Sequence, residues 1–427
     1  MKTISRRHYR WVILGVVFVT FFLGTAIRNT ASVFYPAIVE DFGWGRGSTA
    51  IIFSLSIIVY GSLAPLVGRL VDRFGPRVIP PIGAVIVAGG LFLSSLSTEP
   101  WQLYLWYGVL VAIGMSLMGW APLSAVVSNW FSDRRGLAFA VMGAAFGGSM
   151  VSAYLAQYLI SSYGWQTAYV IMGLAGAIII APLCALFLRH SPALTDHPLV
   201  YPPVTASPPL PFVEALPTEK PEGWGSGGVW TLARARRTRH YWLLILISFC
   251  LLGITEQAVI THLVYFFRDR GYSPIAAATI FSVFGVVYVA SKFISTCSDR
   301  WGREIVFIPS CLLSAAVMAL LFIMPDASRP GTAFLFAVLF GLMLGPAGPV
   351  FFATVSDLFH GRSLGYIQGF MILSFSLGGA IAPWLAGFLH DRTGSYFWTI
   401  VMIIAALVAS AGMMWWLAPG RVSPVRR

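Results

Sequence analysis

The sequence predicts an all-α integral membrane protein, with twelve transmembrane helices arranged as two pseudo-symmetric halves of six. Three observations carry that expectation. Of 427 residues, 57% are hydrophobic and only 10% are charged, against about 25% charged in a soluble domain. The apolar residues fall in long runs, each near the roughly 20 residues that a helix needs to cross a hydrocarbon core. Polar landmarks also recur at an almost constant offset along the chain. A chain this apolar cannot cover itself in water, so most of its outside must face lipid.

The apolar runs place spans near 11–36, 49–68, 78–98, 101–128, 137–161 and 165–188, then near 241–267, 274–297, 305–325, 332–356, 363–389 and 395–418. The first run follows a basic start, as in a signal peptide. It is too long for a signal h-region and lacks a convincing cleavage site, so it is expected to remain as span 1. Between the sixth and seventh spans the material changes. Residues 190–240 hold nine prolines, a Gly-Ser-Gly-Gly stretch and the basic run Arg234–Arg239, the composition of a flexible polar linker. The expected organisation is a first half over 1–189, the linker over 190–240, a second half over 241–420 and a basic tail over 421–427.

The net charge of +12 lies in short clusters between apolar runs, not along one amphipathic face, which argues against a nucleic-acid partner. With the N-terminus inside, cytoplasmic segments hold 21 basic residues and outer loops hold five: Arg46, Arg268, Arg270, Arg329 and Arg392. The positive-inside rule then predicts that both termini are cytoplasmic. Cys184, Cys250, Cys297 and Cys311 lie in or at the ends of apolar runs, without metal-ligand spacing. No nucleophile–base constellation is present either, so neither an enzyme nor a cofactor is expected.

The halves repeat. Loop 2–3 runs from Gly68 to Arg77 with Asp72, Arg73 and Gly75; loop 8–9 runs from Ser295 to Arg303 with Asp299, Arg300 and Gly302. Asp72 and Asp299 are 227 apart, as are Pro122 and Pro349, while Arg134 and Arg362 are 228 apart. Such an offset indicates an internal duplication of six spans, related by an axis along the membrane normal. A carboxylate at a helix end beside guanidinium groups can form charge-assisted hydrogen bonds. Asp72 is therefore expected to pair with Arg134 or Arg135, and Asp299 with Arg362, with Arg73 and Arg300 beside them, as latches of the inner gate.

The stretch from Gly68 to Arg77 matches in full the G-x-L-x-D-R-x-G-x-R signature of the major facilitator superfamily, and the chain resembles that family over nearly its whole length outside the linker. Loop 8–9 departs at Ser295, where the signature has glycine. Asn129–Ala140, together with the exit of span 1 from Val33 to Gly45, is similar to the monocarboxylate-porter and oxalate/formate-antiporter branch. That resemblance implies small carboxylates as cargo, often with a proton. The oxalate/formate members have a lysine in span 11; here that span offers only Gln368, Ser374 and Ser376, which argues against dicarboxylate exchange.

Ionisable groups within spans cost about 2.5–3.5 kcal/mol on insertion scales, so each is a functional hypothesis by default. Arg28 in span 1, Glu256 in span 7 and Lys292 in span 8 stand out. Arg28 and Glu256 are 228 apart, so the repeat puts opposite charges at nearly equivalent places. In the family's architecture spans 1 and 7 line the central cavity, and the resembling families place a cation near Lys292. Arg28 and Lys292 are expected to bind a carboxylate, with Asn29, Gln257 and Tyr288 as neighbours. Glu256 is expected to carry or sense the proton, with His262 as its rival. The expected unit is a monomer in the lipid bilayer that moves a small organic anion and a proton by alternating access. The competing expectations keep the fold and change the cargo to a larger aromatic acid, a siderophore-like molecule or a lipophilic compound. A membrane enzyme or sensor is the remote rival.

Overall fold

The structure, a computed structural model, describes residues 6–131, 135–189, 232–324, 326–359 and 364–417. Most of the linker, the basic tail, Arg134 and Arg362 lie outside them. The described residues are helical throughout, joined by short turns. Ten helical stretches are long and apolar enough to cross a bilayer. One of these, Val141–Phe187, leaves helical geometry at Gly164, and Ile79–Ser95 is a shorter apolar helix. Dividing the first and adding the second gives twelve rods.

These are α1 (His8–Phe42), α2 (Arg46–Phe74), α3 (Ile79–Ser95), α4 (100–130), α5 (135–163) and α6 (165–187) in the first half. In the second half they are α7 (Arg239–Asp269), α8 (Pro274–Trp301), α9 (Arg303–Phe322), α10 (Pro330–Leu358), α11 (Leu364–Thr393) and α12 (Phe397–Leu417). Each overlaps the span expected from the apolar runs. Several rods are interrupted. α1 breaks at Thr30, α4 at Met118-Gly119 beside Pro122, and α10 at Gly345-Pro346. Two wide π-helical turns, Tyr104–Val111 in α4 and Ser248–Glu256 in α7, carry no proline and were not foreseen.

Chain direction is fixed by contacts at the rod ends. The Tyr9 hydroxyl donates to the carbonyl of Phe187, 2.7 Å, while the Trp165 indole donates to Asp41, 2.8 Å. The start of α1 therefore meets the end of α6, and its end meets the start of α6. The duplication is visible in the backbone as well. Gly43, Gly75 and Gly164 have positive φ, and so do Gly271, Gly302 and Gly394 at corresponding turns of the second half. Gly75 (φ 81°, ψ 158°) and Gly302 (φ 108°, ψ 146°), 227 residues apart, end α2 and α8 in a region essentially closed to residues with a Cβ. Those are the glycines of the repeated loop.

The halves touch closely where small residues allow it. A Cβ on Gly387 of α11 would stand 2.8 Å from the backbone of Arg46, and one on Gly147 of α5 would stand 2.3 Å from Val289 of α8. Both contacts join one half to the other, as small residues do between helices in lipid.

Candidate functional site

Two inter-half regions hold charged side chains: one chamber where α1 and α5 meet α7 and α8, and one seal at the end that carries the turn between α1 and α2.

The chamber is built from breaks in the rods. Arg28 sits in the last turn before α1 breaks at Thr30, where a cation suits the helix dipole. Glu256 is the last residue of the π-helical turn in α7, and wide turns of this kind often mark functional sites. Lys292 begins a 3₁₀ stretch, Lys292–Cys297, in α8. All three side chains are partly exposed. The Tyr288 hydroxyl donates a short hydrogen bond to the Glu256 carboxylate, joining α8 to α7. The Lys292 ammonium lies 4.5 Å from the centroid of the Tyr288 ring and 5.5 Å from that of Phe146. Arg28 has its guanidinium 5.0 Å from the Phe146 centroid, 5.9 Å from Tyr60 and 5.8 Å from Phe375.

Glu256 is near enough to both cations for their charges to interact. Even so, among the described residues neither Arg28 nor Lys292 forms an ion pair. The Arg28 Nε has no hydrogen-bond partner. Beside Arg28 an apolar recess is lined by Phe21, Tyr60, Met115 and Met118. The result is an aromatic-lined cluster that brings two cations and one carboxylate together from both halves.

Of the other residues expected here, Tyr288 joins the cluster. Asn29 turns away: it is buried, and its amide donates to the Phe146 carbonyl, 3.1 Å, and to Ser149, 2.7 Å. Gln257 is also buried, packed on Gly379 of α11, with its Nε2 unpartnered. His262 lies apart, in the seal. Its Nε2 donates to the Pro383 carbonyl, 2.9 Å, and its Nδ1 accepts from the Tyr396 hydroxyl, 3.2 Å, so both ring nitrogens are committed.

The seal centres on Arg46, at the start of α2. Its guanidinium makes a bidentate pair with Asp269 at the end of α7, 2.5 and 2.8 Å, and donates to the Tyr396 hydroxyl, 3.2 Å. It also stacks over Tyr265, 3.7 Å from the ring centroid. Asp391 of α11 caps the start of α2 from the opposite half, accepting from the backbone N–H of Arg46, 2.9 Å, and Gly47, 2.6 Å. Tyr35 donates to the Arg46 carbonyl, 2.9 Å, and Arg268 pairs with Glu40 at 2.7 Å. None of these acidic residues was singled out from the sequence, where Arg46 is one loop cation among five.

At the opposite end, among the described residues, the contacts of Arg77 and Arg303 around the repeated loops stay within one half. Arg77 donates to the Leu188 carbonyl, 2.9 Å, and Arg303 binds Asp357, 2.8 Å, and Asp299. Asp299 thus has a partner four residues along the chain. Arg362, its expected partner, lies outside the described residues, as does Arg134; of the Asp72 and Arg135 side chains nothing is described. Arg73 lies over Phe74, 5.2 Å from the ring centroid.

A helical membrane protein whose halves meet over a cluster of charges and lock at one end has the build of a solute carrier. Family comparison agrees. The profile of the Major Facilitator Superfamily matches residues 16–383 and, overlapping, 293–427, and the chain belongs to that superfamily of membrane transporters. Monocarboxylate transporter 13 of Rattus norvegicus is 25% identical over 412 residues, covering 95% of this chain and 88% of that protein. Monocarboxylate transporter 11 of Homo sapiens is 26% identical over 401 residues, covering 90% and 78%. Among solved structures, a bacterial homologue of the human lysosomal transporter Spinster, in an inward-facing and unoccupied conformation, superposes with a TM-score of 0.65 at 15% identity, over 97% of this chain and 98% of that one. That likeness speaks to the fold alone.

Proposed function

We propose that this transporter carries small monocarboxylates together with a proton, by alternating access. The observation that carries the reading is the chamber's unmatched charge. Arg28 and Lys292 converge with Glu256 on one space, yet neither cation has an ion partner among the described residues. With Glu256 ionised the three groups sum to +1, which a single carboxylate balances. A proton on Glu256 and a substrate carboxylate arriving together add no net charge, so the loaded site can cross without new cost. The names of the similar monocarboxylate transporters point to the same cargo.

The basic loops lie at the end opposite the seal, so the positive-inside rule makes the sealed end the outer one. With that end locked, access runs from the cytoplasm, and the conformation is the inward-facing one of a bacterial inner-membrane carrier. His262, with both nitrogens engaged, serves the seal; Glu256 is the proton's place.

The test is uptake of labelled lactate, pyruvate, acetate and benzoate into proteoliposomes, with and without an inward proton gradient. Gradient-driven uptake of at least one, lost in Arg28→Gln and uncoupled in Glu256→Gln, is expected. No carboxylate carried under either condition would end the anion reading and leave the superfamily membership standing.

A further inference from the structure

Phe146 belongs to none of the expected charged or polar sets, yet among the described residues it is the ring that both chamber cations share. Its centroid lies 5.0 Å from the Arg28 guanidinium and 5.5 Å from the Lys292 ammonium. Arg28 comes from the first half and Lys292 from the second, so the ring stands where the halves bring their charges together. Two features hold it there. Asn29, next to Arg28, donates to the Phe146 carbonyl, and Ser149 does the same at 2.7 Å, which ties the ring's backbone to α1. Gly147, the next residue, lets α5 approach Val289 of α8 with no room for a Cβ, which brings the ring beside Lys292.

We infer that Phe146 is a specificity-determining residue, holding the two cations apart from Glu256 and at the disposal of one substrate carboxylate. This rests on the monocarboxylate reading of the same chamber. An aromatic face attracts a cation through its quadrupole, so the ring holds each charge without neutralising it, which a carboxylate in its place would do. An anion can then add a full charge-assisted pair to cations that the ring keeps in place. The ring also sets an apolar wall against the substrate's organic part. A second carboxylate would have to lose its water against that wall with no cation left to meet it, so the site rejects dicarboxylates.

The test uses full-length protein in liposomes, with Phe146→Leu and Phe146→Tyr. Phe146→Leu is expected to raise KM for lactate about tenfold, the worth of one desolvated cation–π contact, with maximal rate changed less than threefold. It is also expected to make succinate a competitive inhibitor, while Phe146→Tyr keeps the parent KM and selectivity. A second measurement does not depend on transport: Lys292 labelling by an amine-reactive acylating reagent, read by mass spectrometry, should quicken several-fold in Phe146→Leu. If the parent carries lactate and Phe146→Leu matches it in KM, selectivity and labelling, the inference is overturned and the function stands. If the parent carries no carboxylate, the function fails with it, and unchanged labelling would also refute the hold of the ring on Lys292.

Discussion

The chamber and the seal both bring charges together across the two halves, and they treat them oppositely. In the seal every strong donor is matched: Arg46 takes two oxygens of Asp269, Asp391 takes two backbone N–H groups, and Arg268 takes Glu40. In the chamber, Arg28 and Lys292 rest on aromatic faces while Glu256 bonds to Tyr288 instead. A matched network stabilises one conformation of the protein. An unmatched one, beside it on the same helices, stays ready for an outside ion. On the function proposed above, the difference separates what holds the carrier closed from where its substrate binds.

Substitutions sharpen that contrast, and the largest effect should come from the chamber. Removing one partner of a buried charge pair costs about 2–5 kcal/mol, so Arg28→Gln should lower lactate uptake about 100-fold while leaving the unfolding midpoint near the parent value. Next, Glu256→Gln should abolish the stimulation by a proton gradient but keep lactate exchange between equal concentrations within about threefold, because the amide can accept from Tyr288 but cannot take up a proton. Uptake still driven by the gradient in that variant would remove Glu256 from coupling.

The seal should respond in conformation rather than in binding. Asp391→Ala deletes a cap worth about 1–2 kcal/mol, enough for roughly a tenfold shift toward the state open at that end. Labelling of Tyr265→Cys, a buried position beneath Arg46 in the seal, by a membrane-impermeant thiol reagent should rise accordingly; no rise would mean that the cap does not hold the seal. The smallest effect is expected at Arg268→Gln. Its partner Glu40 is 56% exposed, and exposed pairs are worth about 0.2–1 kcal/mol, so labelling should change less than about sixfold.

Much of the fold was legible because lipid simplifies the problem: length and apolarity locate a rod, and α8, expected near 274–297, runs Pro274–Trp301. The repeated loops were legible for a similar reason, since Gly75 and Gly302 occupy backbone geometry that only glycine tolerates. The chamber was legible through cost, because Arg28, Glu256 and Lys292 are expensive in a membrane wherever they point. Direction was another matter. Asn29 follows Arg28, but one residue turns a helix by about 100°, and its amide goes to α5 instead of the chamber. The seal left no local trace. Asp269 is 223 residues from Arg46 and Asp391 is 345 away, and each stands at a span end, where a polar residue is unremarkable.

One helix serves both regions. α7 passes from Glu256 at the end of its wide π-helical turn into a regular 13-residue segment, Gln257–Asp269, that ends at the Arg46 pair. At 1.5 Å per residue that segment is a lever of about 20 Å. Pivoting at the turn by about 10° would carry its tip some 3.5 Å, further than the 2.5 and 2.8 Å that join Asp269 to Arg46. A swing too small to reshape the chamber is therefore enough to unhook the far end, and the fulcrum is Glu256, the residue proposed to take the proton.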